Sequence, residues 1–265
     1  MTAPPSLKHV RVEMDAGVAS VTLNQPEKRN PLSAETIPEL VDALEWCQDS
    51  AEARVVVVTG AGDRAFCAGA DLGGFQAAES EVDRHHERGR LASLFVLMQQ
   101  LGKPILGRIN GHALAGGFGL ACSCDLLVAV ESAAFGTPEI NVGVWPAMIQ
   151  AILARNLPRK VLLEMVLLGD RWSAQQLHQL GLVNRVVADH AELDRVTGEL
   201  AARLAAKSPA ILRLGRDSFY GQQDMEFRAA LEYLQAQLTL VTLTEDAREG
   251  IRAFFEKREP EFKGR

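Results

Sequence analysis

The 265-residue sequence has no apolar run long enough to cross a membrane. Its longest apolar stretches, such as residues 55–58 and 126–130, fall far short of the ~18 residues that a spanning helix needs. The first ten residues, MTAPPSLKHV, also lack the apolar stretch of a secretory signal. These absences predict a cytoplasmic protein with no membrane partner.

Cysteine is scarce, and its placement argues against a metal site. The four cysteines, Cys47, Cys67, Cys122 and Cys124, form no CxxC pair, and no histidine stands at zinc-ligand spacing from them. We therefore expect reduced, buried thiols and no bound metal.

Basic residues are outnumbered, with 28 Lys and Arg against 34 Asp and Glu and a formal net charge of −6. A broad nucleic-acid-binding face normally carries a positive excess, so nucleic acid is not an expected partner. Hydrophobic residues make up 47% of the chain, which excludes a disordered protein and allows a substantial core.

Nucleotide-binding motifs are also missing. Gly60 and Gly62 follow an apolar run, but the third glycine of a dinucleotide loop is replaced by Ala65. No GxxxxGK[ST] sequence occurs, so phosphate transfer of the P-loop type has no support.

Periodicity predicts a mixed α/β protein. Short β-branched runs alternate with helical patterns through the first two thirds of the chain, and only helical patterns remain after Ser208. Ser173 with Gln176, and Asp189 with Glu192, predict two helix starts. The helical C-terminal region is either a lid on the core or a docking element for other subunits.

Two glycine-rich loops follow predicted strands, one around Gly69 and Ala70 and one around Gly116 and Gly117. A helix is expected to begin at Gly116, so its first amides lack intrahelical acceptors. A pair of amides from the two loops could polarise a carbonyl and hold an enolate. The alternative is that these are plain turn glycines.

Glu139 is a carboxylate in an apolar stretch that includes Ile140, Val142, Val144 and Trp145. Poor solvation would raise its pKa and suit it to general acid/base work. The alternative is a glutamate at a helix end or in a salt bridge.

At these loops the sequence resembles the crotonase (enoyl-CoA hydratase/isomerase) superfamily. The matching stretches are residues 66–72 (FCAGADL), 110–125 (NGHALAGGFGLACSCD), 135–139 (FGTPE), 181–187 (GLVNRVV) and 249–258 (EGIRAFFEKR), and residues 24–32 fit the family's first loop. The matches run in order along nearly the whole chain.

The resemblance implies an α/β fold, a crotonase-like spiral of ββα units over residues 1–200, and a C-terminal helical trimerisation region over residues 201–265. It implies a homotrimer or a dimer of trimers, an acyl-CoA substrate, and no cofactor apart from the coenzyme A of that substrate. The amides of Ala70 and Gly116 would hold the thioester oxygen, with Glu139 as acid/base. The positions that match the coenzyme A site are Lys28, Arg29, Ala68, Asp71, Leu72 and Lys257. By analogy, Trp145, Met148 and the helix around residues 91–98 would shape the acyl pocket.

Gly119 departs from the family pattern, because family hydratases carry a first catalytic glutamate at this position. A single carboxylate favours movement of a proton between carbons, as in the family's double-bond isomerases. Hydration stays open if Glu139 alone, or a carboxylate from residues 71–83, holds the water. Thioester hydrolysis, decarboxylation, dehalogenation and a non-catalytic acyl-CoA-binding scaffold are the further alternatives.

Overall fold

A computed structural model describes residues 3–70 and 80–265 of the chain, without the side chains of Glu81, Arg84 and Glu87. Its larger sheet has six described strands that lie side by side in chain order, parallel except for a hairpin formed by the first two. These strands are β1 (Val10–Asp15), β2 (Val18–Leu23), β3 (Val55–Gly60), β5 (Ile105–Ile109), β7 (Leu126–Val130) and β10 (Arg185–Val187).

A smaller sheet is built from strands of three residues each. In spatial order they are β4 (Ala65–Cys67), β6 (His112–Leu114), β8 (Ala134–Gly136) and β9 (Arg171–Ser173). The first three are parallel to one another, and β9 pairs antiparallel with β8.

Ten described helices accompany the two sheets. They are α1 (Thr36–Asp49), α2 (Glu81–Gln100), α3 (Gly116–Cys122), α4 (Ala147–Asn156), α5 (Arg159–Leu168), α6 (Ala174–Gln179), α7 (His190–Ala205), α8 (Pro209–Gln222), α9 (Phe227–Leu243) and α10 (Glu245–Glu256). Short 3-10 turns span Pro26–Lys28 and Pro138–Val142.

The chain repeats one pattern three times. A strand of the larger sheet is followed by a strand of the smaller sheet and then by a helix, as in β3-β4-α2, β5-β6-α3 and β7-β8-α4. Because the equivalent strands of successive units pair in parallel, each turn stacks on the one before it. This is the spiral of ββα units that the sequence resemblance implies.

The core fills the space between the two sheets and their helices. Strand β3 is buried along its whole length, as expected of an apolar strand in a parallel sheet covered on both faces. Phe66, Phe118 and Phe135 are fully buried, and the rings of Phe118 and Phe135 meet edge to face at 5.6 Å. All four cysteines are buried and unpaired, as predicted.

The longer elements agree with the sequence-based expectations, and the short ones were missed. Helices α6 and α7 begin at the predicted caps, where Ser173 accepts from the Gln176 amide and Asp189 accepts from the Glu192 amide. The predicted strand over residues 182–187 is shorter, since only Arg185–Val187 is extended. Strands β4, β6, β8 and β9 were not predicted, because three residues carry no detectable period.

The C-terminal helices leave much apolar surface uncovered. Helix α8 is tied to the core by Arg216, which forms a salt bridge with Asp125 at 2.9 Å. Large side chains on α9 and α10 are exposed, among them Phe227, Leu231, Leu238, Leu243, Ile251, Phe254 and Phe255. None of the described helices is long and apolar enough to span a membrane.

Candidate active site

The first loop of the candidate site, residues 68–70, follows strand β4 and is held from two sides. The Leu32 amide donates to the Gly69 carbonyl at 2.8 Å, and the Ala68 amide donates to the Arg29 carbonyl at 3.0 Å. Leu32 and Ala70 also form an isolated parallel bridge. These bonds fix the loop beside the segment that carries Lys28 and Arg29.

The second loop lies directly against the first. A Cβ on Gly69 would stand 2.6 Å from the Ala115 Cβ and 3.2 Å from the Gly116 nitrogen, so only glycine permits this approach. The Ala70 nitrogen lies 3.8 Å from the point where a Cβ on Gly116 would stand. The fold therefore brings Ala70 and Gly116 together, as the sequence predicts.

Helix α3 begins at Gly116, which confirms the predicted helix start. Ala115 precedes it with a φ of +51° and donates its amide to the Gly136 carbonyl at 2.9 Å. Among the residues that the structure describes, neither the Ala70 amide nor the Gly116 amide has a hydrogen-bond acceptor. Within that part of the chain both amides are unpaired, and Gly116 stands at the positive end of the helix dipole.

Glu139 sits in the 3-10 turn Pro138–Val142, immediately after strand β8. Its Oε2 atom is buried and has no hydrogen-bond partner within the described part of the chain. Burial raises the pKa of this carboxyl above its ordinary value, and the residue's own amide offsets this only in part. Glu139 thus lies in the first turn of a short 3-10 helix, as the helix-end alternative has it, and it forms no salt bridge with a described residue.

A cavity of about 250 Å³ connects these parts. Glu139 is the one ionisable side chain among its described lining residues, which are Ala68, Ala70, Leu91, Ala115, Gly116, Pro138, Glu139, Val142, Val144, Trp145, Pro146, Ala147, Met148 and Ile149. Trp145 and Met148 line it as expected while remaining 42% and 37% exposed. The described part of the site is an apolar pocket with one carboxylate, lined by two loops whose Ala70 and Gly116 amides have no acceptor among the described residues.

The wall at Gly119 has no room for a side chain. A Cβ there would lie 2.5 Å from the Ile149 Cγ2 and 3.1 Å from the Phe95 Cζ. Ile149 lines the cavity and is only 3% exposed. Apolar atoms of α2 and α4 therefore occupy the volume that a side chain at position 119 would enter.

The structure describes four of the six residues that are expected to contact coenzyme A. Lys28 and Arg29 are exposed at the surface, and Ala68 lines the cavity next to the Arg29 backbone. Lys257 is exposed after α10 and does not line the cavity of its own chain. Asp71 and Leu72 lie outside the described residues. The coenzyme A assignments therefore stay predictions.

Ile149 is the main lining residue that sequence reasoning missed. Leu91 belongs to the helix that was expected to shape the pocket, and Val142 and Val144 were expected around Glu139. Ile149 carries no such signal, because only the fold shows that α4 lies over Gly119, 30 positions earlier in the chain.

The chain is similar to known proteins over nearly its whole length. The family model described as enoyl-CoA hydratase/isomerase matches residues 13–265. The 2,3-dehydroadipyl-CoA hydratase of Escherichia coli is 37% identical over 249 residues, covering 94% of this chain and 96% of that protein. A carnitinyl-CoA dehydratase of Salmonella arizonae is 34% identical over 96% of this chain and 98% of its own length.

A solved structure shows the same fold. The crystal structure of an enoyl-CoA hydratase from Mycobacterium smegmatis overlaps 96% of this chain and 99% of its own, with a TM-score of 0.92 and 33% identity. This agreement confirms the fold class predicted from the sequence.

Proposed function

Because this chain belongs to the enoyl-CoA hydratase/isomerase family and is an enzyme of that family, we propose that it transfers protons along the acyl chain of an enoyl-CoA. The reaction passes through a thioester enolate, with Glu139 as the acid/base. One observation carries the proposal: the cavity beside Ala70 and Gly116 has a single carboxylate among its described lining, and the buried Oε2 atom of this group has no hydrogen-bond partner among the described residues.

In the proposed mechanism the amides of Ala70 and Gly116 donate hydrogen bonds to the thioester oxygen. Negative charge develops on that oxygen as the enolate forms, so donors already in place stabilise the transition state more than the ground state. Each donor of this kind is worth about 3–4 kcal/mol.

Glu139 moves the proton. Its carboxylate removes a proton from C2 of a 3-enoyl-CoA, the C2–H electron pair enters the enolate, and the double bond shifts to C2–C3 as the proton returns to C4. Charge and atoms balance without a second reactant. A raised pKa makes Glu139 a stronger base for the abstraction and brings it closer to neutral pH, where one group can both accept and return a proton.

The Gly119 wall favours isomerisation over hydration. Among the described lining residues no second carboxylate faces Glu139, and Ile149 excludes one from position 119. Hydration of a 2-enoyl-CoA is the second candidate, because relatives are named hydratase and dehydratase. Glu139 would then have to take a proton from water as the hydroxyl adds to C3, and pass that proton to C2.

The other residues are given the roles that the family resemblance implies for their positions in the sequence. Lys28, Arg29, Ala68, Asp71 and Leu72 contact the coenzyme A moiety, and Lys257 reaches it from a neighbouring copy of the chain. Trp145 and Met148 hold the acyl group, since both line the cavity with apolar surface. No cofactor takes part beyond the coenzyme A of the substrate.

We further propose that the chain assembles as a homotrimer or a dimer of trimers through its C-terminal helices. Phe227, Phe254 and Phe255 are each at least three-quarters exposed in the single chain. Apolar surface of this extent is typical of an interface. The molecular mass in solution, measured by light scattering, tests this.

Glu139→Gln tests the proposed chemistry. The substitution keeps the shape of the side chain and removes its base, so turnover of a 3-enoyl-CoA and of a 2-enoyl-CoA should fall by roughly 10²–10⁴-fold. Glu131→Gln, at an exposed glutamate after β7, is the matched control and should leave both rates unchanged.

The wild-type substrate preference separates the candidate functions. Faster turnover of the 3-enoyl-CoA supports isomerisation, and faster turnover of the 2-enoyl-CoA supports hydration. If Glu139→Gln leaves both turnovers intact, the role assigned to Glu139 is wrong. Binding without turnover across a panel of acyl-CoAs would instead show a scaffold.

A further inference from the structure

The hydrogen bonds of the described residues do not fix the direction of the Glu139 side chain. Oε2 has no hydrogen-bond partner among the described residues, and the hydrogen bond that acts on this carboxyl comes from the amide of Glu139 itself. A bond within one residue cannot hold the carboxylate relative to the rest of the protein. Its position over the cavity must therefore be set by the backbone turn that carries it.

That turn is anchored at one end by Thr137, which is fully buried. The Thr137 hydroxyl donates to the Met165 carbonyl at 3.1 Å. Met165 lies in the last turn of α5, and its carbonyl also accepts the Gly169 amide at 2.9 Å. The hydroxyl thus ties the turn to a helix end that is itself closed by a backbone bond.

The other end of the turn packs on Gly169. A Cβ on Gly169 would lie 2.7 Å from the Ile140 Cγ2 and 2.7 Å from the Asn141 Nδ2. Gly169 has a φ of +71°, and its lack of a side chain lets the two residues after Glu139 pack on the end of α5.

We propose that Thr137 is a positioning residue, which aims the Glu139 carboxylate through its bond to the end of α5. The inference rests on the proposed function of Glu139 and deepens it. Reacting groups must be held in near-attack geometry, and a displacement of about 1 Å can cost about 10²-fold in rate. A carboxylate with no partner of its own depends on this anchor more than a hydrogen-bonded one would.

Thr137→Val removes the hydroxyl and keeps the branched shape. We expect kcat to fall by about tenfold or more with KM within about twofold of wild type, because substrate binding is untouched while proton transfer is misaligned. Thr137→Ser keeps the hydroxyl and should restore most of kcat.

Thr197→Val is the matched control. Thr197 is also a buried threonine, on α7, but its hydroxyl has no hydrogen-bond partner in the described part of the chain and it does not line the cavity. Thr197→Val makes the same chemical change as Thr137→Val without breaking a hydrogen bond among the described residues, so its kcat should equal that of the wild type.

The pH profile distinguishes positioning from a structural role. If Thr137→Val lets Glu139 move toward water, the pKa of Glu139 falls toward its ordinary value, and the acid limb of kcat/KM shifts to lower pH. A role in stability alone would lower the melting temperature and leave kcat and this limb unchanged at assay temperature.

The outcomes separate the two proposals. If Thr137→Val turns over substrate like Thr197→Val while Glu139→Gln is inactive, the positioning inference is wrong and the proposed function stands. If Glu139→Gln remains active, the proposed function itself fails. Should Thr137→Val not fold, Gly169→Ala displaces the turn from its other end and should show the same loss of kcat. Unchanged kcat in Gly169→Ala would then overturn the inference.

Discussion

The carboxylates of Asp246, which is buried, and of Glu139, which is half-buried, differ in their hydrogen-bond partners. Asp246, at the start of α10, accepts hydrogen bonds from the Ser208 hydroxyl at 2.6 Å and from the amides of Lys263 and Gly264 at 2.7 Å and 2.9 Å. Glu139, in the cavity, has a buried oxygen with no partner among the described residues. The first arrangement holds the C-terminal segment against the fold, and the second leaves the carboxylate free to react.

The pKa shifts of the two groups follow from this difference. Burial alone would raise the pKa of Asp246, but the bonds from Ser208, Lys263 and Gly264 lower it below its ordinary value. Burial raises the pKa of Glu139, and no bond from another residue opposes it. The fold therefore stabilises the ionised form of one carboxyl and the protonated form of the other.

The largest expected effect on stability comes from removing the partnered carboxylate. Asp246→Asn keeps the shape but turns an amide N–H₂ toward donors, so the free energy of unfolding should fall by about 2 kcal/mol. Glu139→Gln loses no partner and should unfold at the same or a higher urea concentration. Urea unfolding of both variants at equal protein concentration and neutral pH checks this, and equal losses would contradict it.

The differences in stability between the wild type and these two variants should have opposite signs, and both should diminish as the pH falls. A raised folded-state pKa contributes stability that is complete below the unfolded value, 4.5 for Glu139, and is lost as the pH rises through the folded value. A lowered one, as for Asp246, contributes stability above its unfolded value and loses it as the pH falls. Any advantage of Glu139→Gln over wild type should therefore shrink toward pH 4.5.

Much of this arrangement could be predicted from the sequence, because the signals are local. The apolar runs of β3 and β7, the caps at Ser173 and Asp189, and a glutamate among apolar neighbours all lie within a few residues. The two glycine-rich loops made a pair of amides one of two interpretations, and the family resemblance assigned that role to Ala70 and Gly116.

The contacts that surround and support Glu139 join residues that are distant in the chain, so they could not be predicted from the sequence. Ile149 fills the space at Gly119 from 30 positions away, and Thr137 bonds to Met165 from 28 positions away. Neither partner has a pattern that singles it out. The smaller sheet was missed for a related reason, since its strands are too short to show alternation and exist only because successive units stack.

A smaller loss of stability is expected when a side chain is added at Gly119. Gly119→Ala places a Cβ 2.5 Å from the Ile149 Cγ2, and overpacking of this kind should cost about 1–2 kcal/mol after the gain in helix propensity. Gly198→Ala, in α7 with nothing within 4 Å of the new Cβ, is the control and should stabilise by about 0.5–1 kcal/mol.

A double mutant shows whether Ile149 is the obstacle. Ile149→Ala removes the clashing Cγ2 methyl, so Gly119→Ala should cost at least about 1 kcal/mol less in that background than alone. Additive losses would show that Ile149 does not exclude a side chain from position 119. This double mutant therefore tests whether packing between Gly119 and Ile149 is what keeps a second carboxylate out of the described lining of the pocket.

The smallest expected change in stability comes from removing the Thr197 hydroxyl. This hydroxyl is also buried and has no hydrogen-bond partner in the described part of the chain. Thr197 packs within α7 and does not line the cavity, so nothing in the proposed chemistry uses this group. Thr197→Val keeps the branched shape and removes an unsatisfied hydroxyl, which should raise the free energy of unfolding by about 0.5–1 kcal/mol. A loss of stability in urea would mean that the hydroxyl has a partner. A gain in the free energy of unfolding, with unchanged turnover, would show that the Thr197 hydroxyl takes no part in the reaction. Glu139 differs from Thr197 in two respects, because its side chain is ionisable and lines the cavity.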